Sequence, residues 1–324
     1  CVSTMNAQSI EREVVASGGS TISNGTTTLD VTIGELTVTT ITDGNTTLTQ
    51  GFQQGVVILN IVLNPIVLLQ GAAINPNMGE ESLMRDDLRG SLIPTRSPYA
   101  DMLTCASSVF NDGGTSGTGT VTDNIVDWVW IELRDATDKT SVIAARSALI
   151  QRDGNVVDID GFSAVEITAP AGNYYVSIHH RNHLGIMTAT TIALSKTLTT
   201  VDFTNATNQI TFGSNAQTTF GMPSGKLGMW SGNVNGDAIV QYSGTQPDTP
   251  TILSEVFNDA GNFLNFPTFS ITNYNRNDVN LDGIIQYSGT NPDTPFILQN
   301  VLAHPGNFLN FSTYQIVAQL PTSD

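Results

Sequence analysis

Residues 278–311 read DVNLDGIIQYSGTNPDTPFILQNVLAHPGNFLNF, and residues 233–266 read NVNGDAIVQYSGTQPDTPTILSEVFNDAGNFLNF. The two stretches align without a gap at a spacing of 45 residues, sharing QYSGT, PDTP and GNFLNF. A repeat of this kind is one supersecondary unit used twice. Each copy opens on closely spaced oxygen-bearing side chains, the donor set that a hard cation such as Ca2+ requires.

In the second copy Asp278, Asn280 and Asp282 occupy loop positions 1, 3 and 5, and Gly283 occupies position 6. Alternate spacing turns three oxygens toward one point, and the glycine permits the sharp turn. The carbonyl of Ile284 at position 7 and the side chain of Gln286 at position 9 are the next candidate ligands. An ordinary helix–loop–helix calcium loop closes with a carboxylate at position 12, where this chain has Gly289. The loop is therefore read as carrying a short insertion, SGTNP, with Asp293 supplying the closing carboxylate. The first copy offers Asn233, Asn235, Asp237, the Ile239 carbonyl, Gln241 and Asp248 at the same places. Asn233 replaces the first aspartate and Ala238 the turn glycine. Fewer charges and an alanine where positive φ is wanted predict a weaker site, one that is empty or purely structural. The alternative for both copies is a pair of Asx-rich turns without metal.

After each loop, TPTILSEVF and TPFILQNVL predict short helices, with Thr249 or Thr294 near the N-cap and Pro250 or Pro295 in the first turn. The pair, over about residues 227–317, resembles a dockerin module, the tandem calcium-binding repeat of secreted bacterial proteins. The resemblance implies Ca2+ as cofactor; the stretched loop departs from the pattern and leaves a cohesin-like partner open. Upstream, Val14–Gly19, Asp30–Glu35 and Leu48–Gln54 resemble the N-terminal block of secreted Bacteroidetes surface proteins. Residues 124–202, together with QGAAINPNMGEESLMRDDLR, resemble the middle region of the same proteins. Those resemblances imply export to the cell surface or the extracellular space, and no reaction.

Composition sets the outer limits. The 324 residues suffice for two or three domains. A formal charge of −17 with only 12 Lys and Arg argues against nucleic acid as a partner. Thr, Asn, Gly and Ser fill the polar positions, which favours strands and short turns. No apolar run approaches ~20 residues, so no membrane-spanning helix is expected. The sequence opens on Cys1, read either as a lipidated residue, hence a lipid anchor, or as part of CVSTMNAQ, the tail of a secretory signal cut near Ala7 or Gln8. The other cysteine is Cys105, and a Cys1–Cys105 disulfide is the remaining candidate.

Taken in order, the chain predicts a mainly β protein: serial sandwich-like domains followed by a small dockerin-like module with short helices. Residues 1–55 alternate apolar and polar in EREVVAS, TTTLDVTIG and ELTVTTIT, and DGN fits a tight hairpin. Residues 56–123 hold VVILNIVLNPIVLLQGA, expected as two consecutive buried strands because Pro65 interrupts a helix. A sharper reading has one of them shared with a neighbouring subunit. MGEESLMRDDLRGSLIP predicts a short helix ending at Gly90, with Arg85, Asp86, Asp87 and Arg89 on a solvated face. Residues 124–226 predict a β-sandwich, in which NIVDWVWIELRDA alternates strictly, and residues 227–324 form the repeat module.

Other constellations carry less. His179, His180 and His183 in HHRNH invite a zinc reading, but His179 and His180 point to opposite faces of a strand. Hydrogen-bonded rings at a strand end are the expectation. Asp158 and Asp160 read as turn and surface groups. Trp128 and Trp130 read as core, with a sugar-stacking platform including Trp230 as the other option. No nucleophile elbow, phosphate loop or dinucleotide fingerprint appears, and no enzymatic activity is expected. The functional expectation is a structural subunit of an extracellular filament or surface appendage, a homopolymer assembled by strand donation from Ser3–Ala16 and stabilised by calcium. The alternative is a monomeric adhesin binding a glycan or surface protein, with the repeats as a docking module.

Overall fold

Alternating apolar residues and frequent Gly, Asn and Asp turns give short strands throughout. The computed structural model describes residues 18–23, 28–33, 41–42, 47–48, 60–112 and 121–321. Residues Cys1–Leu59 and Asn60–Asp324 are separate compact units. In the first, β1 (Gly18–Ser23) pairs antiparallel with β2 (Thr28–Ile33), and β3 (Ile41–Thr42) with β4 (Thr47–Leu48); the expected DGN turn lies outside the described residues. Cys1 and the donor-strand candidate Ser3–Ala16 lie outside the described residues.

The second unit begins with β5 (Asn60–Ile66), whose side chains alternate between buried and half-buried. The run 56–72 thus holds one described strand followed by a single helical turn, α1 (Gln70–Ala73), where two consecutive strands were expected. Pro65 fits inside β5 because the ladder to the neighbouring antiparallel strand stops at Leu63. Both neighbours of β5 come from its own chain, so this strand is not completed by another subunit.

Next come β6 (Ile125–Asp135), β7 (Val142–Gln151), β8 (Val156–Val157), β9 (Val165–Thr168), β10 (Gly172–His180), β11 (His183–Met187), β12 (Ile192–Leu194) and β13 (Thr199–Asp202). They form a six-stranded sheet in the order β11-β10-β6-β7-β8, with β12 also on β10, and a three-stranded sheet β13-β5-β9. In the small sheet β5 runs parallel to β13 and antiparallel to β9. Ile61, Leu63, Val165 and Ile167 from the small sheet share one core with Ile131, Leu133, Val176 and Ile178 from the large one. The expected sheet-rich region is thus two sheets over one core, called the sandwich below, and β5, from upstream of 124, is the central strand of the smaller sheet.

Residues 78–94 form turns, not the predicted helix. Long-range bonds override the local preference: Met84 N–H donates to the Arg152 carbonyl and Arg85 N–H to the Ala72 carbonyl. Met84 and Leu88 are buried in the sandwich core, and Arg85 is buried too, not on a solvated face.

The chain continues through β14 (Gln217–Thr218), β15 (Gly228–Met229), β16 (Ile239–Val240), α2 (Thr249–Asn258), β17 (Ser270–Thr272), β18 (Ile284–Gln286), α3 (Thr294–Ala303) and β19 (Ile316–Val317). The two predicted helices are therefore present, each with its proline in the first turn. A second core collects Val234, Val240, Ile252 and Val256 from the first repeat and Val279, Ile285, Ile297 and Val301 from the second. Because 60–324 is one compact unit, the divisions drawn at 123 and 226 are lines within it, not domain boundaries.

Candidate metal centre

The strand after each repeat's helix pairs with the loop of the other repeat. Ile271 in β17 lies opposite Ile285 in the second loop, and Ile316 in β19 opposite Val240 in the first. Side chains repeat the exchange: Gln286 Nε2 donates to the Thr268 carbonyl, and Gln241 Nε2 to the Thr313 carbonyl, both at 2.7 Å. The repeats are thus related by a pseudo-two-fold, and each loop is bonded to the other copy.

In the second loop Asp278 and Asp293 are fully buried. Backbone donors orient them. Asp278 accepts from the N–H groups of Asp282 and Gly283 at 3.1 and 2.9 Å. Asp293 bridges Val279 N–H at 2.6 Å and Gln286 N–H at 2.9 Å, closing the loop from the start of α3. Asp282 accepts from Ile284 N–H and from Asn280 Nδ2. Burial pushes the Asp278 carboxyl up to about 7, against the pull of Arg181 and with a further push from Asp282. Burial and the neighbouring Asp278 raise Asp293 well above the ordinary range. Two carboxylates cannot both stay ionised out of water without a proton or a cation between them. Asp278, Asn280, Asp282, Asp293 and the Ile284 carbonyl are the oxygen donors that would hold a hard dication here. Among the described residues no group of three His, Cys, Asp or Glu side chains converges as a metal cluster.

Gln286 plays another part. Its Oε1 accepts Asn291 N–H while its Nε2 reaches across to the other repeat, so the amide folds the inserted SGTNP segment back. Gln241 does the same with Gln246 N–H. The insertion is held by a side chain, and this is how a carboxylate so far along the chain returns to the loop.

The first loop repeats the frame with less charge. Asp248 is buried, accepts from Val234, Asn235 and Gln241 N–H groups, and is raised by burial to about 7. Asn233 Oδ1 accepts Gly236 N–H, Asn235 Nδ2 reaches Asp237, Asp237 accepts Ile239 N–H, and Asp237 is exposed. Each loop needs two residues at positive φ: Gly236 and Ala238 (φ 81° and 66°) in the first, Leu281 and Gly283 (57° and 81°) in the second. A non-glycine residue there costs about 1–2 kcal/mol. Leu281 offsets that cost by burying its side chain in the sandwich core, whereas Ala238 is exposed.

Leu281 is one of several ties between the second loop and the sandwich. The Arg85 guanidinium donates to the carbonyls of Asn280, Gly71 and Ile74. Gly71 lies so close to Val279 that a Cβ would sit 2.3 Å from its carbonyl oxygen. Gln70 Nε2 donates to Asn300 Oδ1 in α3 at 2.7 Å, and Asn182 Nδ2 to the Asp278 carbonyl at 2.5 Å.

Behind these ties the HHRNH segment forms a buried relay. Gly71 N–H donates to His183 Nε2 at 3.0 Å, which leaves the His183 proton on Nδ1, facing Asn182 Oδ1 and His180 Nδ1 at 2.9 Å. His180 Nε2–H then donates to Asp127 Oδ2 at 3.0 Å. Asp127 also pairs with Arg181 and accepts Tyr274 Oη–H at 2.6 Å. Burial alone would raise Asp127, but Arg181, His180 and Tyr274 outweigh it and hold the carboxyl down at about 2. Burial lowers both histidines, so they stay neutral. The relay was missed at the level of sequence, although Asp127 sits on an otherwise apolar strand face with Ile125, Val129 and Ile131.

The remaining candidates are placed simply. Asp160 caps its own turn through Phe162 and Ser163 N–H groups, and Asp158 pairs with Arg146. Trp128 and Trp230 are buried, and Trp130 is half-buried against Tyr99, so the three form no stacking platform. Cys105 is a free thiol packed against the core, its pKa raised by burial. No family model, curated protein or solved structure matches the chain.

Proposed function

We propose that this chain is a structural subunit of an extracellular filament or surface appendage, braced by calcium. The observation that carries the reading is the second loop: buried, acidic, and fastened to the sandwich by Leu281, Arg85, Asn182 and Gly71. A docking tag on a flexible tether needs no such fastening, whereas a rod that bears load does. A cation at Asp278, Asp282 and Asp293 would neutralise the charge at the joint and stiffen it. Low charge density, a surface of Thr, Asn and Ser, and the resemblance to secreted surface proteins with calcium repeats agree with an extracellular place. Strand donation by Ser3–Ala16 belongs to the proposal as the link between subunits.

Negative-stain electron microscopy of the full chain, with calcium and with a chelator, tests this. Filaments that loosen on chelation are expected; discrete particles in both conditions would refute the structural role.

One observation favours a second reading, a monomeric glycan-binding surface protein. A cleft of about 800 Å3 lies between the first loop and the β10–β11 end of the sandwich, bordered by Asp237, Arg276, Arg134 and His179. Its size suits a small polar ligand. Saturable binding on a glycan array by particles that stay monomeric would select it.

A further inference from the structure

The repeat carries a second signal besides its loops. GNFLNF is identical in both copies, although Asn233/Asp278, Gly236/Leu281 and the helix positions Ser254/Gln299, Glu255/Asn300 and Phe257/Leu302 have diverged. Burial does not explain the identity. Phe263 is 82% exposed and Phe308 81%; Leu264, Phe266, Leu309 and Phe311 are all more than half exposed. The turn is firmly built beneath them. Asn262 is buried, donates to the Val256 and Phe266 carbonyls and accepts Phe266 N–H; Asn307 does the same with Val301 and Phe311. Asn265 and Asn310 take positive φ, 54° and 56°, to complete it. Each repeat thus spends a buried amide and a left-handed residue to hold three apolar side chains in water.

Resting on the self-association proposed above, we propose that these two NFLNF turns are contact surfaces between copies of this chain. Two features select a second copy as the occupant. The chain carries −17, so copies repel one another, and they can meet closely only where charge is absent. Residues 261–268 and 306–313 contain no ionisable group. In addition, one chain has the same surface twice, related by the pseudo-two-fold of the repeats. A contact between one turn and its counterpart on another copy leaves a turn open on each, so assembly continues instead of closing as a dimer. Each turn offers roughly 350 Å2 of apolar area. A junction of roughly 700 Å2 is below the ~1,200 Å2 of a stable interface, so this contact is weak and reversible and shows only at high concentration.

Sedimentation velocity of the full chain from about 5 to about 500 µM reads this out. The wild type should sediment faster with concentration, more so at about 0.5 M than at about 0.05 M NaCl, because salt screens the repulsion. Phe263→Ser should stop at dimers, and Phe263→Ser with Phe308→Ser should stay monomeric, each with an unchanged melting temperature. A double variant that associates like the wild type, or a single variant that still forms longer species, overturns the proposal. Should that double variant still form filaments by electron microscopy, this inference falls and the filament reading stands. A wild type that is monomeric throughout and forms no filaments sinks both.

Discussion

Calcium should raise the melting temperature by an amount that grows with pH. Burial lifts the Asp278 and Asp248 carboxyls from the ordinary 3.8 to about 7, and Asp293 rises well above its ordinary range. A carboxyl with a raised folded pKa binds more protons folded than unfolded. Its stabilising contribution is full below the unfolded value and is lost as pH rises through the folded one. For Asp248 that loss is on the order of 4 kcal/mol between pH about 4 and about 7, and Asp278 acts in the same direction. A bound dication holds the same groups ionised and must displace their protons. For each proton displaced, apparent affinity tightens tenfold per pH unit below about 7, or about 1.4 kcal/mol. One proton between pH about 5 and about 7 gives ~100-fold, and at ~2–4 °C per kcal/mol the calcium-induced shift should widen by ~5–10 °C.

The buried histidines work in the opposite direction. His180 and His183 have lowered folded pKa values, so their contribution is present above the unfolded histidine range and is lost as pH falls. Over pH 5 to 7 that term partly cancels the carboxylate term in the calcium-free protein. Neither ring is a candidate ligand, so the histidine term drops out of the difference between calcium and chelator. Melts in about 1 mM calcium and in chelator, at pH about 5, 6, 7 and 8, therefore isolate the loops. A calcium shift that is absent at pH 8, or the same at every pH, refutes the assignment of Asp278 and Asp293. Asp278→Asn, which gives the second loop the residue of the first, should remove most of the pH-dependent part.

Three further outcomes follow from the geometry. Ala238→Gly relieves a left-handed alanine in an exposed turn and should stabilise the protein by about 1 kcal/mol in urea melts. Leu281→Ala removes the side chain that enters the sandwich core; it should cost about 2–5 kcal/mol and raise hydrogen exchange in both the second loop and residues 84–92. Asp127→Asn leaves Arg181 buried without its counter-charge and should cost about 3–5 kcal/mol. In the wild type the Asp127 contribution is present above the ordinary carboxylate range and fades as pH falls toward 2, which acid denaturation of the pair would show.

Local pattern was legible where it coincided with packing. Strict alternation over Ile125–Leu133 marked β6, and TPTILSEVF and TPFILQNVL marked two helices that are present over Thr249–Asn258 and Thr294–Ala303. The mainly β character was also readable. Residues 78–94 were not, because a helix-compatible pattern yields there to carbonyls supplied from Gly71, Ile74 and Asn280. The place of β5 depends on β9 and β13, both about a hundred residues or more downstream, and no local pattern records such a pairing. Within the candidate site, the oxygen side chains were named from spacing, and Asp293 does return to close the loop. What Gln286 does structurally was not legible: an amide at a ligand position and an amide that folds an insertion look the same in one dimension.

The differences between the two loops follow from what each one touches. At the first positive-φ position the exposed loop keeps Gly236, while the buried loop has Leu281, whose apolar side chain is worth more in the core than glycine's freedom is in the turn. At the second position the order reverses. At Gly283 φ is 81° and a Cβ would press on the Leu92 Cδ1 methyl at 2.5 Å, so the buried loop favours glycine, whereas Ala238 sits exposed. The loop pressed against the sandwich is also the one with the full set of three acids, Asp278, Asp282 and Asp293. Burial against the sandwich creates the desolvation that makes a cation most useful there. If calcium binds, its largest effect therefore falls on the joint between repeat and sandwich, and the exposed first loop can lose an aspartate without loosening that joint.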